Sequence, residues 1–427
     1  MTEASGDPRG ARDDVTSELR SWLAANWDPE LGLLEWRTRL ADAGWACPEW
    51  PRAWCGRDLP PETAALVRRE LAAAGVAALP DGVGMRLVAP TILEHGDRAI
   101  KERFVIPTVV GALSWCQLFS EPSAGSDLAG LTTRAWRDGD EWVVLGQKVW
   151  TTSAHHADMG LLLARSDWDV PKHQGITCFA LPMRQPGVEV RPLRQMNGHS
   201  SFNEVFLDEA RIPADHVIGE VHGGWKVALT TLAYERRVAT RTGAPPSDER
   251  GRARREAAEE ARVAAAPYRW YPQRAGRVDL LAPRARETGM AAAPLVRQAI
   301  AQVRALDLVA DVTHQRAAAA RALGRPPGPE GSIGKLASSD VARAASRAHT
   351  LIGGSSVMLA GDHAPLAGTI TEVVVSVPAA SIAGGTDEIQ HNIIAERVLG
   401  LPHVPDATRS TPFREVKTSD ARGGTLR

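Results

Sequence analysis

The sequence predicts a multidomain α+β chain. An N-terminal helical domain (1–110) leads to a middle antiparallel β-domain (111–222) and a C-terminal helical bundle (223–402), followed by a flexible tail (403–427). Three observations carry this reading. Near the start, apolar residues fall at Val15, Leu19, Trp22, Leu23 and Trp27, which places them on one helix face. From about Gly111 to Gly219 the pattern turns to short strand-like runs between turn residues. Beyond Gly223-Gly224 the helical period returns in long Ala-, Leu- and Arg-rich stretches. At ~150 residues per domain, 427 residues suit two or three domains.

The first helical run stops at Asp28-Pro29, because proline disfavours helix in the residue before it. Further short helices are expected in Pro60–Ala77 and Arg86–Arg103. In the middle domain the strands are expected at Trp142–Leu145, Lys148–Thr152, Gly160–Ala164, Ile176–Leu181, Val188–Val190 and Asn203–Leu207. Asp138-Gly139, Gly146-Gln147, Gln185-Pro186-Gly187 and Asn197-Gly198 lie between them and suit turns. Strands this short and regularly spaced suggest a compact antiparallel sheet or barrel. In the bundle, Trp225, Leu229, Leu232 and Arg236 share a helix face. Long helices are expected at Pro294–Leu323 and Ser332–Ile352, the second capped by Ser332. The charge-dense, proline-interrupted stretch Gly243–Thr288 reads as an exposed excursion.

Fifty basic side chains against fifty-one acidic ones leave a net charge of −1. That balance gives no global electrostatic case for nucleic acid or an anionic membrane as partner. No run reaches the ~18 apolar residues of a membrane span, and the opening MTEASGDPRGARDD has no apolar core of the kind an export signal carries. A cytoplasmic protein is expected. Cys47, Cys55, Cys116 and Cys178 lack paired CxxC spacing and read as reduced, packed thiols. His155-His156 has no third ligand at metal spacing, so no metal site is expected. No Gly-x-Gly-x-x-Gly or Walker segment supports a Rossmann unit or a P-loop.

Four segments carry the chemistry. Leu118-Phe-Ser-Glu-Pro-Ser-Ala-Gly-Ser-Asp127 opens the β-region, and Gly146-Gln-Lys-Val-Trp-Thr-Thr-Ser153 follows within it. Phe206-Leu-Asp-Glu-Ala-Arg-Ile-Pro-Ala-Asp-His-Val-Ile-Gly219 leads to the bundle, and Gly384-Gly-Thr-Asp-Glu-Ile-Gln-His391 starts a C-terminal signature that runs to Pro402. In sequence and order these resemble the signatures of acyl-CoA dehydrogenases, a likeness covering roughly residues 15 to 402. The resemblance implies that family's three-domain fold and FAD bound non-covalently between the subunits of a tetramer. It implies oxidation of an acyl thioester to its α,β-unsaturated product, with an electron-transfer flavoprotein as acceptor.

The residues fit a flavin. Small side chains at Ser123, Ala124, Gly125 and Ser126 let the backbone approach a ligand closely. Ser120, Gly125 and Ser126 offer hydrogen bonds, while Gln117 and Phe119 can line the pocket. Trp150 and Thr152, two residues apart on one strand face, can cover the ring and bond its polar edge. The resemblance also puts Gly353-Gly354 against the ADP half of FAD and Thr386 against the flavin.

Dehydrogenation needs a base for the α-proton and a donor to the thioester carbonyl. Many family members carry the base as a Glu directly before the Gly-Thr of the C-terminal signature, where this chain has Gly384. Glycine takes no proton, though its backbone N–H can polarise the carbonyl. Isovaleryl-CoA and long-chain dehydrogenases instead place the Glu on the first bundle helix, just before an Arg. Leu232-Ala-Tyr-Glu-Arg-Arg237 fits that alternative. Glu235 is therefore the expected base, with Arg236 as its structural or electrostatic neighbour. The alternative for Glu235 is a solvated helix-surface carboxylate. Asp387 and Glu388 stand nearer the usual position but replace no family base.

The family's Arg-x-x-Phe-Gly segment is not recognisable near Arg284–Pro294, which leaves Arg297 as a substitute, and the usual Arg after Ile-Gln is His391. These departures keep two further readings open: a non-catalytic or flavin-sharing subunit of a hetero-oligomer, and a family member diverted to oxygen-dependent flavin chemistry. The substrate carrier is coenzyme A or a carrier protein.

Overall fold

The computed structural model describes residues 8–237, 250–322, 330–403 and 408–416. Residues 243–249 of the expected excursion and 404–407 and 417–427 of the expected tail lie outside the described residues.

Five helices precede the sheet: α1 (Pro8–Asn26), α2 (Leu33–Asp42), α3 (Pro61–Ala73), α4 (Ala89–His95) and α5 (Arg98–Val110). α1 ends just before Asp28-Pro29. α2 is too short for its period to stand out in the sequence, yet it buries Leu33, Trp36, Arg37, Leu40 and Ala41 on one side. The Trp36 ring lies 5.8 Å from Trp22 and 4.4 Å from Trp27. A single π-helical turn, Gly84–Val88, runs into α4; such turns inside helices often accompany functional sites.

The middle domain is one seven-stranded sheet: β1 (Trp115–Leu118), β2 (Arg134–Asp138), β3 (Glu141–Thr152), β4 (Met159–Arg165), β5 (Ile176–Pro182), β6 (Val188–Leu193) and β7 (Phe202–Pro213). The order is β1–β4–β2–β3–β7–β6, with β5 also paired to β4. The long pairings are antiparallel, while β1 runs parallel to β4. Trp142–Leu145 and Lys148–Thr152 are two halves of β3, its register to β7 shifting between Val144 and Gly146 and again between Lys148 and Thr151. Strand alternation sorts the sheet into two cores. Trp115, Leu161, Leu163, Ile176, Cys178 and Ala180 face the N-terminal helices, and Cys116, Leu118, Leu162, Ala164, Phe179 and Leu181 face the opposite side. All four cysteines are buried and unbridged.

The bundle contains α6 (Gly224–Arg237), α7 (Arg252–Ala265), α8 (Tyr271–Arg274), α9 (Leu281–Glu287), α10 (Pro294–Ala322), α11 (Glu330–Gly353), α12 (Thr369–Ser376) and α13 (Asp387–Ile393). Three expectations are corrected here. The described part of Gly243–Thr288 is not an exposed loop but helices α7 to α9. α7 docks on the N-terminal domain because its small residues, Ala253 and Ala257, pack into that core. Its charges are partnered: Glu260 takes the buried Arg37 at 2.7 Å, Glu256 takes the Leu33 N–H at 2.8 Å, and Arg254 reaches the Gly75 carbonyl. Ser332 caps nothing; it lies inside α11, buried. The inward face of α6 is Val227, Ala228 and Thr231 rather than the stripe through Leu229, which is exposed. Two hydroxyl contacts fix that rotation: Thr231 meets Thr91 at 3.1 Å, and Thr230 meets His95 at 2.8 Å. Among the described residues no helix is long and apolar enough to cross a membrane.

Candidate active site

The first two motifs meet through a buried ion pair. Lys148 on β3 and Glu121 after β1 pair at 2.8 Å with almost no exposure. Lys148 also donates to the Phe119 carbonyl at 3.0 Å. The Glu121 carboxylate accepts from the backbone N–H groups of Thr132 and Thr133 and from the Thr132 hydroxyl. Burial works against ionisation of Glu121, but Lys148 and these hydrogen bonds outweigh it and hold the carboxyl at about 2. The Val149 N–H donates to the Ser120 carbonyl at 2.9 Å and completes the junction. Glu121 and Lys148 were not singled out in the sequence; the signal was a Glu and a Lys standing inside two motifs that must touch.

This junction presents a shelf. Phe119 is buried, Gln117 and Ser120 are half-buried, and Gly125 and Ser126 are exposed. A Cβ at Gly125 would meet nothing within 4 Å. Trp150 sits at the second register shift with φ of +62°, a conformation strained for a bulky residue. The bulge turns its ring outward, leaving it 55% exposed and edge-on to Phe202 at 5.7 Å. Asp127 at the loop's end is charge-matched by Lys172 at 3.0 Å. An outward indole, approachable backbone and hydroxyls, with the nearby acid neutralised, suit a flat, partly anionic flavin nucleotide.

Thr152 is half-buried, and its side chain opposes the upward push of burial on the Tyr268 phenol. The Tyr268 ring lies 4.9 Å from Tyr271, and the Arg274 guanidinium lies 4.0 Å over the Tyr271 ring. Burial pushes the Tyr268 phenol up to about 12. Burial also raises Tyr271, and the negative charge of Glu235 adds to the rise while Arg274 opposes it. The two tyrosines thus feel the charge of Glu235 on α6 and of Arg86 in the π-helical turn, and the side chain of Thr152 on the sheet. Glu235 is half-buried. It is four residues beyond Thr231, on the side of α6 that meets the N-terminal domain. The side chain of Arg236 lies outside the described residues.

Gly384 and Gly385 both have left-handed backbones, φ +69° and +86°, and a Cβ at Gly384 would meet nothing within 4 Å. Thr386 caps α13 by accepting from the Ile389 N–H at 3.3 Å. The segment Val377–Ser381, just before these glycines, packs on α8, so Gly384 and Thr386 follow closely on the element that adjoins Tyr271. Asp387 is committed elsewhere. Burial opposes its charge, but Lys335, at 2.8 Å, and Arg343 hold its carboxyl well below the usual range. Glu388 is held low by backbone and Thr386 hydrogen bonds. Neither suits a base that must accept a proton near neutral pH.

Arg297 lies on α10, and Gly353 and Gly354 lie at the end of α11. Arg297 lines a shallow depression with Arg286 and Ile300. Gly353 ends α11 about 15 Å along the helix from Arg343, at a rise of ~1.5 Å per residue. Gly354 follows with φ of +53°.

A helical domain, a sheet that turns a tryptophan outward beside an approachable loop, and a helical bundle suit a flavin-dependent oxidoreductase. The acyl-CoA dehydrogenase N-terminal, middle and C-terminal domain families match residues 10–112, 116–210 and 275–399. The acyl-CoA dehydrogenase IpdE1 of Mycobacterium tuberculosis is 33% identical over 417 residues, covering 91% of this chain and 98% of that protein. The acyl-CoA dehydrogenase FadE34 of the same organism is 53% identical over 204 residues, which span 48% of this chain and 28% of FadE34. The ChsE4–ChsE5 complex of Mycobacterium tuberculosis aligns with a TM-score of 0.63 at 26% identity, covering 94% of this chain and all (100%) of the matched chain. The chain belongs to the acyl-CoA dehydrogenase family. It is an FAD-dependent oxidoreductase that dehydrogenates acyl-CoA.

Proposed function

We propose that Glu235 removes the α-proton of the acyl-CoA thioester while the Gly384 backbone N–H hydrogen-bonds its carbonyl. Gln117, Phe119, Ser120, Gly125, Ser126, Trp150, Thr152 and Thr386 would hold FAD, which when bound supplies the two-electron acceptor for the β-hydride. The observation that carries this reading is Glu235 half-buried on the side of α6 that meets the N-terminal domain, in a chain whose position 384 holds no carboxylate. Tyr268 and Tyr271 keep their protons at neutral pH, so they add donors beside Glu235 and no further anion. Arg236, the next residue in the chain after Glu235, is its proposed structural or electrostatic neighbour. An electron-transfer flavoprotein takes the electrons onward, in the cytoplasm.

A second reading is a shared flavin site. The lack of a recognisable Arg-x-x-Phe-Gly segment near Arg284–Pro294, and His391 in place of the family's usual Arg, favour it. The experiment that separates the readings uses the chain purified alone. One flavin per chain, bleached anaerobically by acyl-CoA, supports a self-sufficient homo-oligomer. Flavin that binds only after a homologous chain is added supports sharing. Flavin that never binds overturns both.

A further inference from the structure

Thr408–Val416 returns from the bundle to the middle domain. The expected loose tail is corrected over these residues. Pro412 forms a β-bridge with Pro171, the Phe413 N–H donates to the Val170 carbonyl at 2.9 Å, and the Arg414 N–H donates to the Trp168 carbonyl at 3.1 Å. Phe413 is 2% exposed. Its ring centre lies 3.5 Å from the Arg165 guanidinium and 5.4 Å from the Trp168 ring.

Arg165, at the end of β4, is fully buried. Its guanidinium donates to the carbonyls of Ala129 at 2.6 Å, Leu131 at 3.1 Å and Lys172 at 3.1 Å. Its backbone N–H donates to the Thr133 carbonyl at 2.7 Å. The loop that begins at Ser120 is therefore clamped from two sides where it rejoins the sheet. Glu121 takes its N–H groups at Thr132 and Thr133, and Arg165 takes its carbonyls at Ala129, Leu131 and Thr133. A buried cation bonded mainly to carbonyls is expensive to keep dry. The face of an aromatic ring offers it an attraction that does not require water.

We propose that Phe413 is a positioning residue for the FAD loop: it seals the Arg165 guanidinium, which in turn fixes the backbone of Ala129–Thr133. The C-terminal segment thereby acts as a strap on the half of the flavin site furthest from it in sequence. The role is one of positioning, because Phe413 contacts Arg165 and Trp168.

The test compares Phe413→Ala, Phe413→Trp and Arg414→Ala in the full chain. FAD affinity is read by quenching of flavin fluorescence on the apoprotein, and backbone hydrogen exchange is read without flavin. Phe413→Ala is expected to weaken FAD roughly tenfold. It is also expected to speed exchange at Leu131–Arg134 while leaving α10 and α11 at the wild-type rate. Phe413→Trp restores both, and Arg414→Ala, which removes an exposed pair with Asp169, changes neither. Should Phe413→Ala fail to fold, Phe413→Leu is read in the same way. Should FAD need a second chain, the exchange result decides. Wild-type exchange at Leu131–Arg134 in the Ala or Leu variant, or exchange that rises equally throughout the chain, overturns the proposal.

Discussion

In the proposed mechanism, glycine at 384 and glutamate at 235 are two halves of one substitution. A carboxylate at 384 would sit on a left-handed backbone of φ +69°, which strains any side chain there although the surrounding space is open. On that proposal the base comes from a different element, α6. The chain has three tyrosines, Tyr234, Tyr268 and Tyr271; Glu235 follows the first in sequence and its charge raises the phenol of the last. Burial disfavours the phenolates, so the phenols titrate late. A near-ultraviolet pH titration of the folded protein is expected to show phenolate forming above 10, with a component near 12 that Tyr268→Phe removes. A single ordinary transition at 10 would place both rings in solvent. At this scale the motif residues were legible in sequence because their types and spacing are the chemistry. Tyr268 and Tyr271 were not, since they enter from a stretch that reads as charged surface.

Among the elements, β3 shows where sequence patterns run short. Gly146 divides the strand's apolar run, so two strands were expected. In the structure β3 is continuous, and its two register shifts absorb the irregularity while aiming Lys148 inward and Trp150 outward. α7 shows the converse: alternating charge resembles a solvated loop until the partners Arg37, Leu33 and Gly75 are in place. Neither pairing is visible without the tertiary fold. The Glu121–Lys148 pair between β1 and β3 has a consequence for acid stability. The Glu121 carboxyl falls from its ordinary 4.5 to about 2 on folding, so the unfolded chain binds the proton more readily. Its stabilisation is complete above 4.5 and is lost as pH falls towards 2. Urea unfolding across that range is expected to lose stability steeply in the wild type and less so in Glu121→Gln. Parallel pH curves for the two proteins would show that the pair contributes nothing. Removing the partner instead, as Lys148→Met, leaves a buried unpaired carboxylate and is expected to cost about 3–5 kcal/mol.

Over the whole molecule, the order helical domain, sheet, bundle was legible from periodicity alone, because each switch of period coincides with a change of layer. The convergence of the layers was not. The N-terminal helices share a core with β4, β5 and α6, and that shared core fixes the rotation of α6, the helix that bears Glu235. The bundle also leaves Leu308, Val309 and Val312 of α10 well exposed, a surface suited to another subunit. The claim at the centre, that Glu235 is the base, is tested most directly without oxidation. A thioester such as 3,3-dimethylbutyryl-CoA has α-protons but no β-hydrogen to lose. Its α-proton exchange in deuterated water, followed by mass spectrometry on the FAD-loaded protein, therefore reports the base alone. Exchange is expected in the wild type and in Glu388→Gln, and it should fall roughly 10²- to 10⁴-fold in Glu235→Gln. Exchange at the wild-type rate in Glu235→Gln would contradict the assignment.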